Sequence, residues 1–145
     1  MRSEGFTFVE LIVVLVILAA LTALVAPSFT RTVASARLRS AASDVRTSLA
    51  RGRALAVAAA KERTVAFDLS KGEFGVDNEA VRLLPGTIRL GAVLPGEERQ
   101  ERGSVRVRFF PDGSGDEAEI SVTAEDGGTL RVTVDPLTGL SEAGT

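Results

Sequence analysis

Cysteine, histidine, tryptophan and tyrosine are missing from this chain of 145 residues, and its single methionine is Met1. Without cysteine there is neither a disulfide staple nor thiol chemistry, which is compatible with a bacterial envelope protein. Without histidine as well, the chain lacks the commonest general base and the usual zinc ligands. Carboxylates and hydroxyls are the reactive groups left, so the composition argues against an enzyme. No cofactor is expected.

Charge of either sign is absent from residues 11–30, and residues 11–26 are interrupted only by Thr22. At the helical rise, about twenty residues span roughly 30 Å, the hydrocarbon thickness of a bilayer, so the stretch reads as a transmembrane helix. A cleavable secretory signal fits less well. The apolar run is too long, the segment before it carries only Arg2 as a base, and Glu10 breaks its start. Glu10 itself raises a question, because a carboxylate at the mouth of such a run is costly without a partner.

Charge is present elsewhere but divided. Residues 31–63 hold eight basic side chains against Asp44 and Glu62, a net +6, whereas residues 64–145 hold eight basic and fifteen acidic ones, a net −7. The plain reading is a solvated helix face beside a solvated sheet. The sharper one is electrostatic complementarity between stem and head of neighbouring copies.

Beyond Pro27, where a kink is expected because the ring removes a donor and crowds the preceding turn, the helical rhythm continues. Phe29, Val33, Leu38, Ala42, Val45, Leu49, Gly52, Ala56 and Ala59 fall mostly three or four apart, with Arg37, Arg39, Arg46, Arg51 and Arg53 largely off that stripe. Gly52 on the apolar side would let a sheet approach closely. The spacing predicts one helix over about 6–61, apolar all round in its first half and amphipathic in its second.

After Arg63 the period becomes two. "TVAFDL", "FGV", "AVRLLP", "TIRL", "SVRVRFF", "AEISVTA" and "TLRVTV" read as six or seven short strands, separated by turn signals such as "PDGSG", "EDGG" and "DPLTG". "GAVLPGEERQERG" (91–103) shows no periodicity and reads as an exposed loop. The expected fold class is α+β: a long N-terminal helix with a protruding apolar half, packed on a C-terminal antiparallel β-sheet.

A short leader ending in Gly5, then Phe6, then Glu10, then an apolar helix with Pro27 resembles the N-terminus of type IV pilins and type II secretion pseudopilins. One departure is Glu4, where family leaders usually carry a base. The resemblance implies cleavage by prepilin peptidase between Gly5 and Phe6, N-methylation of Phe6, an assembly role for Glu10 and a bend at Pro27. It divides the chain into a leader (1–5), a membrane or filament-core half-helix (6–30), an amphipathic half-helix (31–63) and a β-rich head (64–145). "FFPDGSG" with "EISV" and "RVTVDPLTG" is similar to the C-terminal pattern of H-type minor pseudopilins and related minor pilins of type IV pili. The implied role is a structural subunit near the tip of a periplasmic pseudopilus that aids protein export, first held in the bacterial inner membrane as a single-pass protein. Its partners would be major and minor pseudopilins, prepilin peptidase, the inner-membrane assembly platform and secreted substrate. The alternative is a minor pilin of a type IV pilus, in assembly or DNA uptake.

Two other constellations carry weaker signals. Asp112, Ser114 and Asp116 alternate as at the start of a calcium loop, but the distal ligands are missing, so an ordinary turn and no metal site are expected. The arginines of residues 31–63 lack interleaved aromatics for stacking on bases, and the head is acidic, so no nucleic-acid partner is expected.

Overall fold

The computed structural model describes residues 7–77 and 79–144, with the side chains of residues 23–31 outside the description. A single helix, α1 (Phe8–Ala59), is followed by eight strands among the described residues: β1 (Arg63–Asp68), β2 (Glu73–Val76), β3 (Arg82–Leu83), β4 (Ile88–Val93), β5 (Ser104–Phe109), β6 (Ala118–Ala124), β7 (Thr129–Val134) and β8 (Ser141–Gly144). The α+β expectation is met, with one refinement: the strands form two four-stranded sheets rather than one. Their orders are β3-β2-β1-β5 and β4-β6-β7-β8, and every pairing is antiparallel.

The chain divides into two compact units, residues 1–34 and 35–145. In the first, every described side chain from Thr7 to Thr22 is exposed, including Phe8, Val9, Leu11, Leu15, Ile17 and Leu21. The one hydroxyl in this apolar run is satisfied locally, since Thr22 Oγ1 donates to the carbonyls of Leu18 at 2.6 Å and Ala19 at 3.0 Å. Such back-bonding removes the cost of carrying a hydroxyl into a medium without water. Among the described residues no helix is long and apolar enough to cross a membrane. The described apolar side chains stop at Thr22, while the uncharged sequence continues to Thr30.

In the second unit the amphipathic stripe is used. Leu38, Ala41, Ala42, Val45, Leu49 and Ala56 are buried in a single core with Val65, Phe67, Phe74, Phe109, Ile120, Val122 and Val132 from the strands. Two expectations shift: Val33 (in the first unit) and Ala59 are exposed, whereas Ala41 and Ser48 join the buried side. Gly52 is there for the expected reason. A Cβ at that position would lie 2.6 Å from Val65 Cγ2 and 3.3 Å from Phe109 Cδ2, so β1 and β5 sit against bare helix backbone. The strand pattern follows the alternation read from the sequence, with Val105, Val107 and Phe109 of β5 buried and Arg106 and Arg108 outside.

Two segments depart from expectation. Gly91, Ala92 and Val93 were expected in a loop but complete β4, paired with Ser121, Ile120 and Glu119 of β6. Ala92 is buried, and Gln100 returns to exchange two backbone hydrogen bonds with it, both at 2.8 Å, which leaves a shorter loop over residues 94–103. The tail supplies β8, which pairs with β7 although "SEAG" has no apolar alternation. α1 itself ends in a Schellman turn. Lys61 N–H reaches Ala56 O at 3.1 Å and Ala60 N–H reaches Val57 O at 3.3 Å, which places Ala60 at φ 47°, where glycine is usual.

Candidate functional site

Two places carry the residues singled out by sequence. The first is the start of α1. Gly5 and Phe6, the expected cleavage and methylation positions, lie outside the described residues. Thr7 begins the description and caps the helix: its Oγ1 accepts the Glu10 N–H at 3.2 Å, and its carbonyl accepts the Leu11 N–H at 3.2 Å. Glu10 is therefore the third residue of the helix proper, at the spacing of a capping box, with its carboxylate exposed in the turn where the helix dipole favours an anion. Sequence reasoning fixed on Glu10 and passed over Thr7. The signal was there in "TFVE", a threonine three residues before a glutamate at the head of an apolar run. Pro27 lies within α1, and the expected kink falls on residues 23–31, whose side chains are outside the description.

The second place is a latch between α1 and two turns of the head. Arg53 points its Nε–H at two carbonyls at once, Thr138 O at 2.7 Å and Gly113 O at 3.0 Å. Those carbonyls belong to the two motifs that carry the C-terminal resemblance, "PDGSG" and "DPLTG". Each turn is tied internally by an aspartate. Asp112 Oδ1 accepts from Ser114 Oγ at 2.6 Å and Ser114 N at 3.0 Å. Asp135 Oδ1 accepts from Thr138 N at 2.8 Å, Leu137 N at 2.9 Å and Thr138 Oγ1 at 3.0 Å. These bonds hold both carboxyls below the ordinary aspartate range, the Ser114 hydroxyl leading for Asp112 and the Thr138 amide for Asp135. Gly115 N–H then joins the turns to each other through Pro136 O at 3.1 Å. Gly139 is obligatory at φ 61°, because a Cβ there would collide with the Gly113 carbonyl.

The same geometry speaks to the calcium question. Asp112 is engaged in its own turn, and Asp116 forms a two-pronged ion pair with Arg108 at 2.8 and 3.1 Å. Among the described residues no group of three or more acidic side chains is placed to hold a metal ion.

The divided charge is partly consumed within the chain. Arg51 of α1 grips Glu79 through two bonds of 2.6 and 2.7 Å, which lowers the Glu79 pKa, and Arg82 reaches Asp44 at 2.8 Å. Among the described residues Arg37, Arg39 and Arg46 make no ion pair, and Arg39 instead donates to the Ser35 carbonyl and hydroxyl, both at 3.3 Å.

Comparison with known proteins adds two findings. The prokaryotic N-terminal methylation motif matches residues 1–26. Among solved structures, the fold is similar to the minor pseudopilin EpsH from the type 2 secretion system of Vibrio cholerae, with a TM-score of 0.59, 12% sequence identity, and coverage of 75% of this chain and 97% of that one. No curated protein matches in sequence. The chain thus joins a prepilin-type N-terminal methylation motif to a fold similar to that of a minor pseudopilin.

Proposed function

We propose that the chain is a minor pseudopilin of a type II secretion system, of the H type, acting as a structural subunit near the tip of the periplasmic pseudopilus. The observation that carries the proposal is a coincidence of parts. A prepilin methylation motif opens a helix that exposes apolar side chains on every face from Phe8 to Leu21, and the second half of that helix is built into a minor-pseudopilin-like head. A helix apolar all round needs lipid or other helices about it. Both environments are supplied in turn by a subunit that waits in the inner membrane, head in the periplasm, and then joins a helical bundle.

In this reading prepilin peptidase cuts after Gly5 and methylates the new Phe6 amine. Within the bundle the Glu10 carboxylate pairs with a Phe6 ammonium of its own chain or a neighbour's. At about 4 Å and an effective dielectric near 20 such a pair gains roughly 4 kcal/mol, several times its value in water. Leaving either partner alone strands a charge, so the pair selects register more than it adds affinity. Thr7 supports this by fixing the first turn, so that the carboxylate stands at a set place relative to the amine. Major and minor pseudopilins, the assembly platform and secreted substrate are the partners that follow.

The competing reading, a minor pilin of a type IV pilus, shares the N-terminal chemistry and would differ in the head. A DNA-binding head should present a basic face, whereas residues 64–145 sum to −7. Intact mass of the protein made with and without prepilin peptidase tests the shared part. Loss of residues 1–5 with gain of one methyl is expected, and an unchanged Met1 terminus would overturn both readings. Capture of other minor pseudopilins by the tagged full chain separates them, since a gel shift with DNA in place of that capture reverses the order.

A further inference from the structure

The second sheet carries a concave site that neither the helix nor the latch uses. On its outer face Arg89 of β4 stands opposite Thr123 of β6, which stands opposite Thr129 of β7; in the next row Gly91 stands opposite Ser121. The loop over residues 94–103 folds back along β4 through the paired bonds between Gln100 and Ala92. That fold-back lays Arg99 over Gly91, where its guanidinium donates to the buried Ser121 Oγ at 2.9 Å. Gly91 is the condition for this arrangement, since a Cβ there would lie 2.6 Å from Ser121 Oγ and 3.4 Å from Arg99 Nε. Arg102 arrives from the same loop, and the result is a cleft of ≈ 480 Å³.

The charge balance of this cleft is opposite to that of the head that holds it. Three arginines line it against a single carboxylate, Glu101. Glu101 is largely exposed and stands 3.6 Å from Arg99 Nε, a loose pairing. Arg89 and Arg102 make no ion pair among the described residues, whereas Arg51, Arg82 and Arg108 are locked to carboxylates at 2.6, 2.8 and 2.8 Å. A guanidinium presents a planar fork that matches carboxylate oxygens, and one already held in place loses little freedom on binding. The Thr123 and Thr129 hydroxyls on the same surface are bonded to each other at 3.1 Å, which leaves one of the two O–H groups to donate outward.

From this we infer that the cleft binds an acidic segment of another protein chain, Arg89 and Arg102 taking side-chain carboxylates on either side of the fixed Arg99. A peptide suits it better than a single phosphate, because the volume is that of a site for a ligand of many atoms. The cations also come from a strand and a loop rather than converging from one backbone nest. The inference stands apart from the secretion reading, since it rests on the sheet face alone.

The test uses the full chain in neutral detergent and the fluorescence anisotropy of a fluorescein-labelled hexaglutamate. Binding that weakens as salt rises is expected, and the double variant Arg89→Gln, Arg102→Gln should weaken it about tenfold or more with the melting curve unchanged. Arg37→Gln, which removes a charge from the helix instead, should leave binding as it was. Equal binding by wild type and the double variant overturns the inference, as does a similar loss with Arg37→Gln. Displacement of the probe by inorganic phosphate, at matched ionic strength and at concentrations no higher than those of free glutamate needed for the same effect, assigns the cleft to phosphate and overturns it too. Binding that appears only as the chain self-associates has the same consequence.

Discussion

Leu15 and Leu49 lie on the same helix, yet one is 60% exposed and the other fully buried. The first half of α1 is apolar on all sides in sequence, and its side chains from Phe8 to Thr22 are exposed; the second half is apolar on one stripe and spends it on the head core. The difference teaches what each half is for. A stripe is enough where the chain itself provides two sheets to cover it. An all-round apolar surface is the pattern of a helix meant to be covered from outside the chain.

The contrast is broken or sharpened by mutation. Leu49→Ala should cost about 2–5 kcal/mol, because it empties a fully packed position. Leu15→Ala should leave the unfolding transition of the head within about 0.5 kcal/mol. Urea melts of both variants in detergent decide, and equal losses would mean the first half is part of the folding core. Next in size is Arg53→Met, which keeps the stem but withdraws the donor shared by Gly113 O and Thr138 O. A loss of about 1–2 kcal/mol is expected, toward the low end for bonds to a charged group because the site is only half-buried. An unchanged midpoint would show the two turns to be self-sufficient.

Acid should weaken the head. The folded pKa values of Asp112, Asp135 and Glu79 are lowered, by the Ser114 hydroxyl, the Thr138 amide and the Arg51 guanidinium respectively. The unfolded chain therefore takes up protons first as pH falls. Their contribution is complete above the unfolded values near pH 4 and is lost as pH drops below that toward the folded values. Asp135→Asn keeps an acceptor oxygen without the charge and should flatten the acid side of a melting-point profile. A slope identical to wild type would remove Asp135 from the account. The smallest effect belongs to Ala60→Gly. Relief of a left-handed alanine, worth about 1–2 kcal/mol, is set against the added entropy of glycine in the unfolded chain. A gain of under about 1 kcal/mol in the same urea melts is the expected net, and a loss would contradict the φ of 47°.

The legible parts of this molecule were those written in periodicity. The helix was expected over about 6–61 and is described as Phe8–Ala59, and β5 alternates as its sequence does. Gly52 was readable because a glycine on an apolar stripe has few other uses. The end of β4 was not readable, because Leu90, Gly91 and Ala92 are buried in succession and so show no alternation. β8 was missed for a related reason: "SEAG" is held by ladder hydrogen bonds to β7 and buries little side chain. At the candidate sites Glu10 was found by its cost, while Thr7 was overlooked beside it although the capping spacing was visible. The Arg53 latch lay beyond any local pattern, since its partners are 60 and 85 residues away. The turns themselves were recognised, but not that a helix arginine binds them together.

The central claim is that the exposed half-helix is covered by other helices, with Glu10 matched to the Phe6 amine. It is tested most directly by co-expressing tagged wild type and Glu10→Gln chains with the other pseudopilins and measuring each in the membrane and in the sheared filament fraction. The account predicts that Glu10→Gln chains lose residues 1–5 and remain in the membrane at wild-type levels, yet are largely missing from filaments. Recovery of the variant in filaments in proportion to its share of the membrane pool would contradict it.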